Sequence, residues 1–391
     1  MSERDSKTDF IKAALAQRQD EHRFRSLKPV KPVLGTSRAI RDSEQLINFC
    51  SNDYLGLSAH PAVIERAKEF TDRYGAGSGA SRLVSGSLDI HKEFEEKLAE
   101  ALGLEAVLVF NSGFQANTSV IASLADRNSF ILADKKSHNS LIQGALLSRA
   151  DFKRFNHNDL NHLEKLLKEA SDKSYNRIWV VSETVFSMDG DQSDVEGLIE
   201  LSQKYNALFY SDDAHALGVL GEKGLGLNYG KEGIEISLGT FGKAFGSFGA
   251  FVGCNSEMKD YLINFCPGFI YTTALPPSVI GALDATLELI PEMNEERGRL
   301  FFNIRMVKNR LKELGFDTGN SESQIIPVIV GSEEETLKLS EFLENEGIWA
   351  SAIRPPTVEQ GASRIRITIT LNHTEEDIRH LLNALEAWKE E

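Results

Sequence analysis

LFYSDDAHALG (residues 208–218) and ISLGTFGKAFGSFGAFVG (residues 236–253) are the two stretches that decide the fold. Each begins as a short apolar run, typical of a buried strand, and then turns polar or glycine-rich at Asp212 or near Lys243. Ligand sites in open α/β sheets lie beyond the carboxyl ends of the strands. We therefore expect Asp212 and Lys243 to follow two neighbouring strands and to face one pocket.

The same rhythm extends outward from these runs, because short apolar segments alternate with amphipathic helices from about residue 89. A helix over residues 89–103 ends at Gly103, and another helix spans roughly 139–148. The remaining strands are predicted in AVLVF, FILAD, RIWVVS and GAFVG. This alternation predicts an α/β fold with a mostly parallel central sheet covered by helices.

The pattern changes at both ends of the chain. An amphipathic helix is predicted over residues 9–27, followed by an extended arm. A long helical stretch (277–314) precedes QIIPVIV, a helix, IWASAI, RIRITIT and a last helix that Thr374 and Asp377 would cap. We expect a smaller C-terminal α+β domain, and we divide the chain into segments 1–50, 51–285 and 286–391.

Composition excludes several classes of function. The chain has 391 residues, 41% hydrophobic and 26% charged, as in a globular protein with a sizeable core. Its net charge of -15 disfavours a nucleic-acid partner, which needs clustered basic residues. No apolar run has the length of a membrane span, and the start has no signal-peptide pattern. Three cysteines without CxxC spacing indicate free thiols and no metal site, so we expect a cytoplasmic protein.

Residues at three predicted strand ends could take part in the same reaction. Lys243 lies among phenylalanines, which would lower its pKa and make it a nucleophile or base, although alone it could be a solvated loop lysine. Asp212 and His215 could equally form a surface turn. The SerGly turn of AVLVFNSGFQAN offers helix N–H groups to a phosphate, although alone an ordinary turn is favoured. Together they suit an aldehyde cofactor: the lysine holds it as a Schiff base, the carboxylate pairs with a ring nitrogen, and the helix start binds its phosphate.

A dinucleotide-binding site is the competing interpretation, suggested by the glycines at residues 75–79. These glycines follow a helix-like stretch and lack the last glycine of the fingerprint, whereas the fingerprint requires a preceding strand. They more plausibly allow a close approach of backbone to a ligand or a second subunit.

Motifs over nearly the whole chain resemble the α-oxoamine synthases, a family of fold-type I enzymes that use pyridoxal 5'-phosphate (PLP). The motifs that carry the resemblance are SNDYLGLS (51–58), GSGASRLVSGS (77–87), FNSGFQAN (110–117), SHNSL (137–141), ETVFSMDGD (183–191), DDAHALGVLG (212–221), TFGKAFGSFG (240–249), YTTALPPS (271–278) and AIRPPTV (352–358). The run AIRPPTV favours the members that join L-alanine to a pimeloyl thioester, carried on coenzyme A or an acyl carrier protein. The next residues, 359–363 (EQGAS), differ from the family, which often has a proline and a Gly-Thr pair there. This difference concerns the acyl-chain preference and not the chemistry.

The resemblance also implies roles for individual residues. Lys243 would bind the cofactor and move the Cα proton, and Asp212 would pair with the pyridinium nitrogen. The other cofactor contacts would be His138, stacked on the ring, together with Gly113, Phe114, Ser187, His215 and Thr240, and with Thr272 and Thr273 from the second subunit of a homodimer. The substrate contacts would be Arg25, Asn52, His138, Arg354 and Thr357.

The reaction implied is a decarboxylating condensation of an amino acid with an acyl thioester. Two alternatives stay open on sequence alone. One is a sibling enzyme that uses glycine or serine, and the other is a silent member that acts as a binding subunit. The presence of Lys243, Asp212 and His215 argues against a silent member, which has no chemical need for the lysine.

Overall fold

A computed structural model describes residues 7–390 of the chain. Its helices are α1 (Asp9–Asp20), α2 (Pro61–Tyr74), α3 (Asp89–Leu102), α4 (Gly113–Leu124), α5 (Asn139–Ser148), α6 (Leu160–Ser171), α7 (Val195–Lys204), α8 (Ser256–Phe265), α9 (Pro267–Ile270), α10 (Pro277–Leu289), α11 (Asn294–Glu313), α12 (Glu333–Asn345) and α13 (Glu375–Glu390). Its strands are β1 (Lys31–Pro32), β2 (Arg38–Arg41), β3 (Glu44–Asn48), β4 (Ala106–Phe110), β5 (Ser129–Asp134), β6 (Asp151–Phe155), β7 (Arg177–Glu183), β8 (Leu208–Asp212), β9 (Ile236–Thr240), β10 (Ala250–Cys254), β11 (Ile325–Gly331), β12 (Ile348–Trp349), β13 (Ser351–Ile353) and β14 (Ser363–Thr368).

The described residues divide into two compact units. One unit is Asn52–Phe301, and the other combines the residues up to Ser51 with those from Phe302 onward. The predicted start of the small domain, residue 286, lies inside the larger unit, which extends to Phe301 in α11. None of the helices that the structure describes is both long and apolar enough to traverse a lipid bilayer.

The larger unit is built on a seven-stranded sheet with strand order β4-β10-β9-β8-β7-β5-β6. Strands β9, β8, β7, β5 and β6 pair in parallel, whereas β10 runs antiparallel to both of its neighbours, β4 and β9. Every residue of β4, β5 and β10 is buried, as expected for strands covered on both faces. The predicted mostly parallel sheet is confirmed.

Helices cover this sheet with apolar faces that match their sequence periodicity. Helix α6 buries Leu163, Leu166, Leu167 and Ala170, which recur at helical spacing. Helices α4 and α5 pack so closely that a Cβ on Gly144 would lie 2.7 Å from the Asn117 carbonyl oxygen. The lack of a side chain at Gly144 therefore allows the short distance between α5 and α4.

The smaller unit contains two sheets, β1-β2-β3-β12 and β11-β14-β13, with α12 and α13. The predicted cap of α13 is confirmed, because the N–H of Asp377 donates to Thr374 Oγ1 at 3.1 Å. The N–H of Thr374 donates to Asp377 Oδ2 at 3.0 Å and completes the capping box. The three cysteines are free thiols, as predicted.

One predicted helix was wrong in extent, and the predicted helical stretch 277–314 is divided. The helix predicted over 9–27 ends at Asp20, and His22 adopts a left-handed φ of 54° that terminates it. Helix α1 buries none of its residues, so no tertiary packing extends it. The long helical stretch 277–314 is two helices, because Pro291 lies in a 3-10 turn at Ile290–Glu292 between α10 and α11.

Candidate active site

The predicted cofactor residues of the larger unit follow the carboxyl ends of its strands. Gly113 follows β4, His138 follows β5, Ser187 follows β7, Asp212 ends β8, and Lys243 follows β9. Because these strands all point the same way, their carboxyl ends meet at one edge of the sheet. The fold thus brings together residues that are up to 130 positions apart in sequence.

Asp212 is held in a buried hydrogen-bond network. Its side chain accepts from Asn117 Nδ2 at 2.8 Å and from the N–H of Ala214 at 3.0 Å. The same Asn117 amide donates to Ser140 Oγ at 2.9 Å, and Asn117 Oδ1 accepts from the Tyr210 hydroxyl at 2.8 Å. Since Asp212 is only 5% exposed, this network fixes the orientation of its carboxylate.

His138 caps the start of α5 and lies within the electrostatic reach of Asp212 and Lys243. Its Nδ1 is 2.7 Å from Ser140 Oγ, and its backbone N–H donates to Glu183 Oε1 at 2.5 Å. Burial lowers the pKa of His138, the charge of Asp212 opposes this shift, and the charge of Lys243 adds to it. The imidazole is therefore neutral at pH 7 and suited to stack on an aromatic ring.

Lys243 lies three residues beyond β9 in a half-buried position. Its charge acts on both His138 and the buried Glu183, which places its ammonium in the same cluster. Of the phenylalanines that surround Lys243 in sequence, Phe241 and Phe245 belong to a buried apolar cluster, with ring centroids 5.3 Å apart. Phe248 does not belong to it, because its side chain is 53% exposed.

His215 lies in a second buried chain of hydrogen bonds. Its Nδ1 is 2.6 Å from the hydroxyl of Tyr54, which is fully buried. The Tyr54 hydroxyl also donates to Asn52 Oδ1 at 3.3 Å. The structure therefore links His215 to Asn52, a predicted substrate contact, through Tyr54.

The start of α4 has the chemistry of a phosphate site. Ser112 caps the helix by accepting from the N–H of Gln115 at 3.2 Å, and the first-turn N–H groups of Gly113 and Phe114 have no partner within a helix. A Cβ on Gly113 would lie 3.7 Å from Thr240 Oγ1, so the threonine hydroxyl borders the same helix start. Backbone amides at a helix start beside a hydroxyl fit a phosphate group.

Thr272 and Thr273 contact the same end of the sheet within one chain. Thr272 Oγ1 accepts from Gln115 Nε2 at 2.9 Å, and the Thr273 carbonyl accepts from Asn111 Nδ2 at 2.9 Å. Their contact with the phosphate of a second subunit stays a prediction.

The other predicted substrate residues lie in the smaller unit. Arg25 Nη2 donates to Thr357 Oγ1 at 2.9 Å, and Arg354 donates to the His22 carbonyl. Burial lowers the pKa of Arg354, and the positive charge of Arg25 lowers it further. Two guanidinium groups close enough to repel each other suit an anionic ligand.

Three buried residues that support the site were not predicted from the sequence: Asn117, Tyr54 and Glu183. Each lies inside a motif quoted for the resemblance, but a single sequence does not show which polar residue faces inward. Glu183 ends β7 and is 3% exposed. Burial and the charge of Asp212 raise the pKa of Glu183 well above its usual value, and the charge of Lys243 works against this shift.

Comparisons with known proteins show the family to which this chain belongs. The family described as aminotransferase class I and II matches residues 44–385. A protein of Desulfosudis oleivorans, provisionally named 8-amino-7-oxononanoate synthase, is 49% identical over 98% of this chain and 99% of its own length. Serine palmitoyltransferase from S. paucimobilis, solved with bound PLP, superposes with a TM-score of 0.90 at 28% identity, covering 97% of each chain. The 8-amino-7-oxononanoate synthase of Francisella tularensis superposes with a TM-score of 0.76 at 28% identity, covering 88% of this chain and 98% of its own. The chain belongs to the aminotransferase class I and II family and, within it, to the α-oxoamine synthases.

Proposed function

We propose that this chain is a PLP-dependent acyltransferase that condenses L-alanine with a pimeloyl thioester to give 8-amino-7-oxononanoate, releasing carbon dioxide and the free thiol of the carrier. The observation that carries the proposal is the cluster at the sheet edge, where Asn117 holds the buried Asp212 and where His138 lies within the electrostatic reach of Asp212 and Lys243. The near full-length similarity to proteins named for this activity supports the choice of substrates.

The residues present fit the cofactor. Asp212 would pair with the protonated ring nitrogen, His138 would stack on the ring, and Ser187 and His215 would bond its oxygen. The N–H groups of Gly113 and Phe114 and the Thr240 hydroxyl would bind its phosphate. When bound, PLP supplies an electron sink for the negative charge that develops at the amino acid Cα.

Lys243 has two tasks in this proposal. Its Nζ would hold the cofactor covalently until the amino acid displaces it, and would then take the proton from Cα and later return one. The buried Asp212 carboxylate would stabilise the positive ring nitrogen on which this proton transfer depends. Arg354 is the candidate for binding the amino-acid carboxylate, with Arg25 and Thr357 as candidates for the acyl group. Asn52 is a further candidate substrate contact.

A homodimer is part of the proposal. Phe114, in the first turn of α4, is 52% exposed, and Val84 and Tyr271 are 79% and 82% exposed on segments that the Ser81–Thr273 bridge joins. Isolated exposed apolar residues are common, but a group of this size favours coverage by a second subunit. Light scattering of the purified protein should give twice the mass of the 43.4 kDa chain, and a monomer at micromolar concentration would contradict this part of the proposal.

Absorption spectroscopy and product analysis together test the proposed reaction. The purified protein should show the band of a lysine-bound PLP, and L-alanine should shift this band more than glycine or L-serine does. Mass spectrometry with pimeloyl coenzyme A and pimeloyl acyl carrier protein then identifies the product and the better thioester. A stronger response to glycine or serine would reassign the reaction to a sibling activity.

The Lys243→Ala variant tests the proposed role of Lys243 in binding the cofactor and moving the Cα proton. It should lose the covalent band and turnover, because no amine remains to hold the cofactor or to move the Cα proton. Lys92→Ala, on the exposed face of α3, is the matched control and should keep both. Full activity in Lys243→Ala would overturn the proposed mechanism.

A further inference from the structure

His157, in the loop between β6 and α6, forms a buried ionic bridge that the proposed reaction does not use. Its Nδ1 is 2.9 Å from Asp134 Oδ1, and its Nε2 is 2.7 Å from Asp191 Oδ2. Both carboxyl groups are buried. A neutral imidazole has a single N–H, whereas an imidazolium donates from both nitrogens. The two contacts therefore fit a protonated His157, which can donate to both carboxyl groups at once.

The surroundings of the ring agree with this protonation state. Burial of the ring works against the charge, but the hydrogen bonds and negative charges of Asp134 and Asp191 outweigh it and raise the pKa of His157 to about 9. Two neutral groups also lie at the bridge. The Phe186 ring meets it edge-on at 4.4 Å between centroids, and the Asn158 amide donates to Asp191 Oδ2 at 3.3 Å.

The two carboxylates belong to the two loops that carry predicted cofactor contacts. Asp134 ends β5, and its Oδ1 accepts from the N–H of Lys136 at 2.8 Å, in the turn that leads to His138. The Asp191 carbonyl accepts from the N–H of Phe186 at 3.0 Å and closes the turn that contains Ser187. His157 thus joins the His138 loop to the Ser187 loop.

A second link between these loops is weaker. Lys136 Nζ lies 2.7 Å from Asp189 Oδ1, but the lysine side chain is 41% exposed. Exposed ion pairs contribute little to stability because water and salt screen them. Loss of the imidazolium would remove the paired hydrogen bonds through which His157 joins Asp134 to Asp191.

We propose that His157 is a positioning residue, whose imidazolium ties the Ser187 loop to the His138 loop and thereby sets the contact of Ser187 with the cofactor ring. This inference rests on the proposed function, because it assumes that Ser187 bonds the ring oxygen. In this proposal His157 contacts neither the substrate nor the cofactor and acts only through the two loops.

The test uses the His157→Gln variant, since glutamine can donate to only one carboxylate with the same geometry. Cofactor-free protein is titrated with PLP, and both the dissociation constant and the absorption band of the lysine-bound cofactor are measured across pH. We expect PLP to bind at least fivefold more weakly and the pH midpoint of the band to move. His162→Gln is the matched control: His162 Nδ1 accepts from the N–H of Asn156 in the same loop, and this variant should leave both quantities unchanged.

A double variant shows whether the effect passes through Ser187. If it does, His157→Gln should add no further band shift in a Ser187→Ala background. Asp191→Asn perturbs the same bridge and should move the band in the same direction, which keeps the test decisive if His157→Gln fails to fold. The inference would be overturned if the folded variants kept the band and PLP affinity of the wild type. It would also be overturned if the band shift of His157→Gln added fully to that of Ser187→Ala. Neither outcome would affect the proposed function. A wild-type protein that forms no band with PLP would overturn the proposed function as well.

Discussion

Replacing Asn117 by leucine should both destabilise the larger unit and disturb Asp212. Asn117 is 2% exposed and makes three side-chain hydrogen bonds, to Asp212, Ser140 and Tyr210. A hydrogen bond to a charged group contributes about 2 kcal/mol and each neutral one about 1 kcal/mol. The total is about 4 kcal/mol, and the apolar side chain of leucine offsets about 1 kcal/mol of it. We expect a loss of about 3 kcal/mol in the free energy of unfolding.

Urea denaturation of the cofactor-free protein, followed by far-UV circular dichroism, measures this loss. Asn264→Leu is the matched control, because Asn264 lies exposed on α8 and only donates to the Asp260 carbonyl of its own helix at 2.8 Å. The control should change stability by less than about 0.5 kcal/mol. A loss below about 1 kcal/mol for Asn117→Leu, or equal losses in both variants, would refute the argument that the buried amide supports Asp212.

Three further predictions concern stability. The pKa of His157 is raised from 6.5 to about 9 in the folded protein, so its contribution is complete below pH 6.5 and is lost as pH rises through 9. The stability difference between wild type and His157→Gln should therefore shrink by about 3 kcal/mol between pH 6 and pH 10, and a constant difference would contradict the imidazolium bridge. Gly144→Ala should cost about 2 kcal/mol in urea unfolding because its Cβ would meet the Asn117 carbonyl, whereas Gly298→Ala, with open space on α11, should stabilise slightly. Thr374→Ala should cost about 1 kcal/mol in thermal or urea unfolding by removing the α13 cap, and no loss would mean that the capping box is redundant.

The sheet was predictable because its strands are buried on both faces. A parallel strand covered by helices needs an almost unbroken apolar run, and AVLVF, FILAD and RIWVVS are such runs. Helix α5 was predicted over 139–148 and has those bounds, since Ser148 is its last residue and Arg149 then turns left-handed at φ 62°. Local sequence features are enough to predict the bounds of a helix or strand when those bounds do not depend on distant packing.

Elements whose limits depend on distant packing were predicted less well. Residues 21–27 have apolar positions at helical spacing, but no partner in the described structure buries a helix there. Strand β6, with the sequence DFKRF, was not singled out, because it pairs only with β5 at the edge of the sheet and most of its side chains are not buried. Edge strands tolerate charged residues, which removes the apolar pattern that identifies a strand.

The residues of the candidate site also differ in how well the sequence predicts them. Residues proposed to face the cofactor follow apolar strands directly, so their place at the sheet edge could be inferred from their own neighbours in sequence. Residues that support them, such as Asn117, Tyr54 and His157, lie on other elements, and their partners are 23 to 161 positions away. A buried polar group is stable only when those partners are in place, so its role becomes visible only after the fold has brought the elements together. This is why Asp212 could be proposed from LFYSDD alone, whereas the amide that holds it and the imidazolium that ties the neighbouring loops could not.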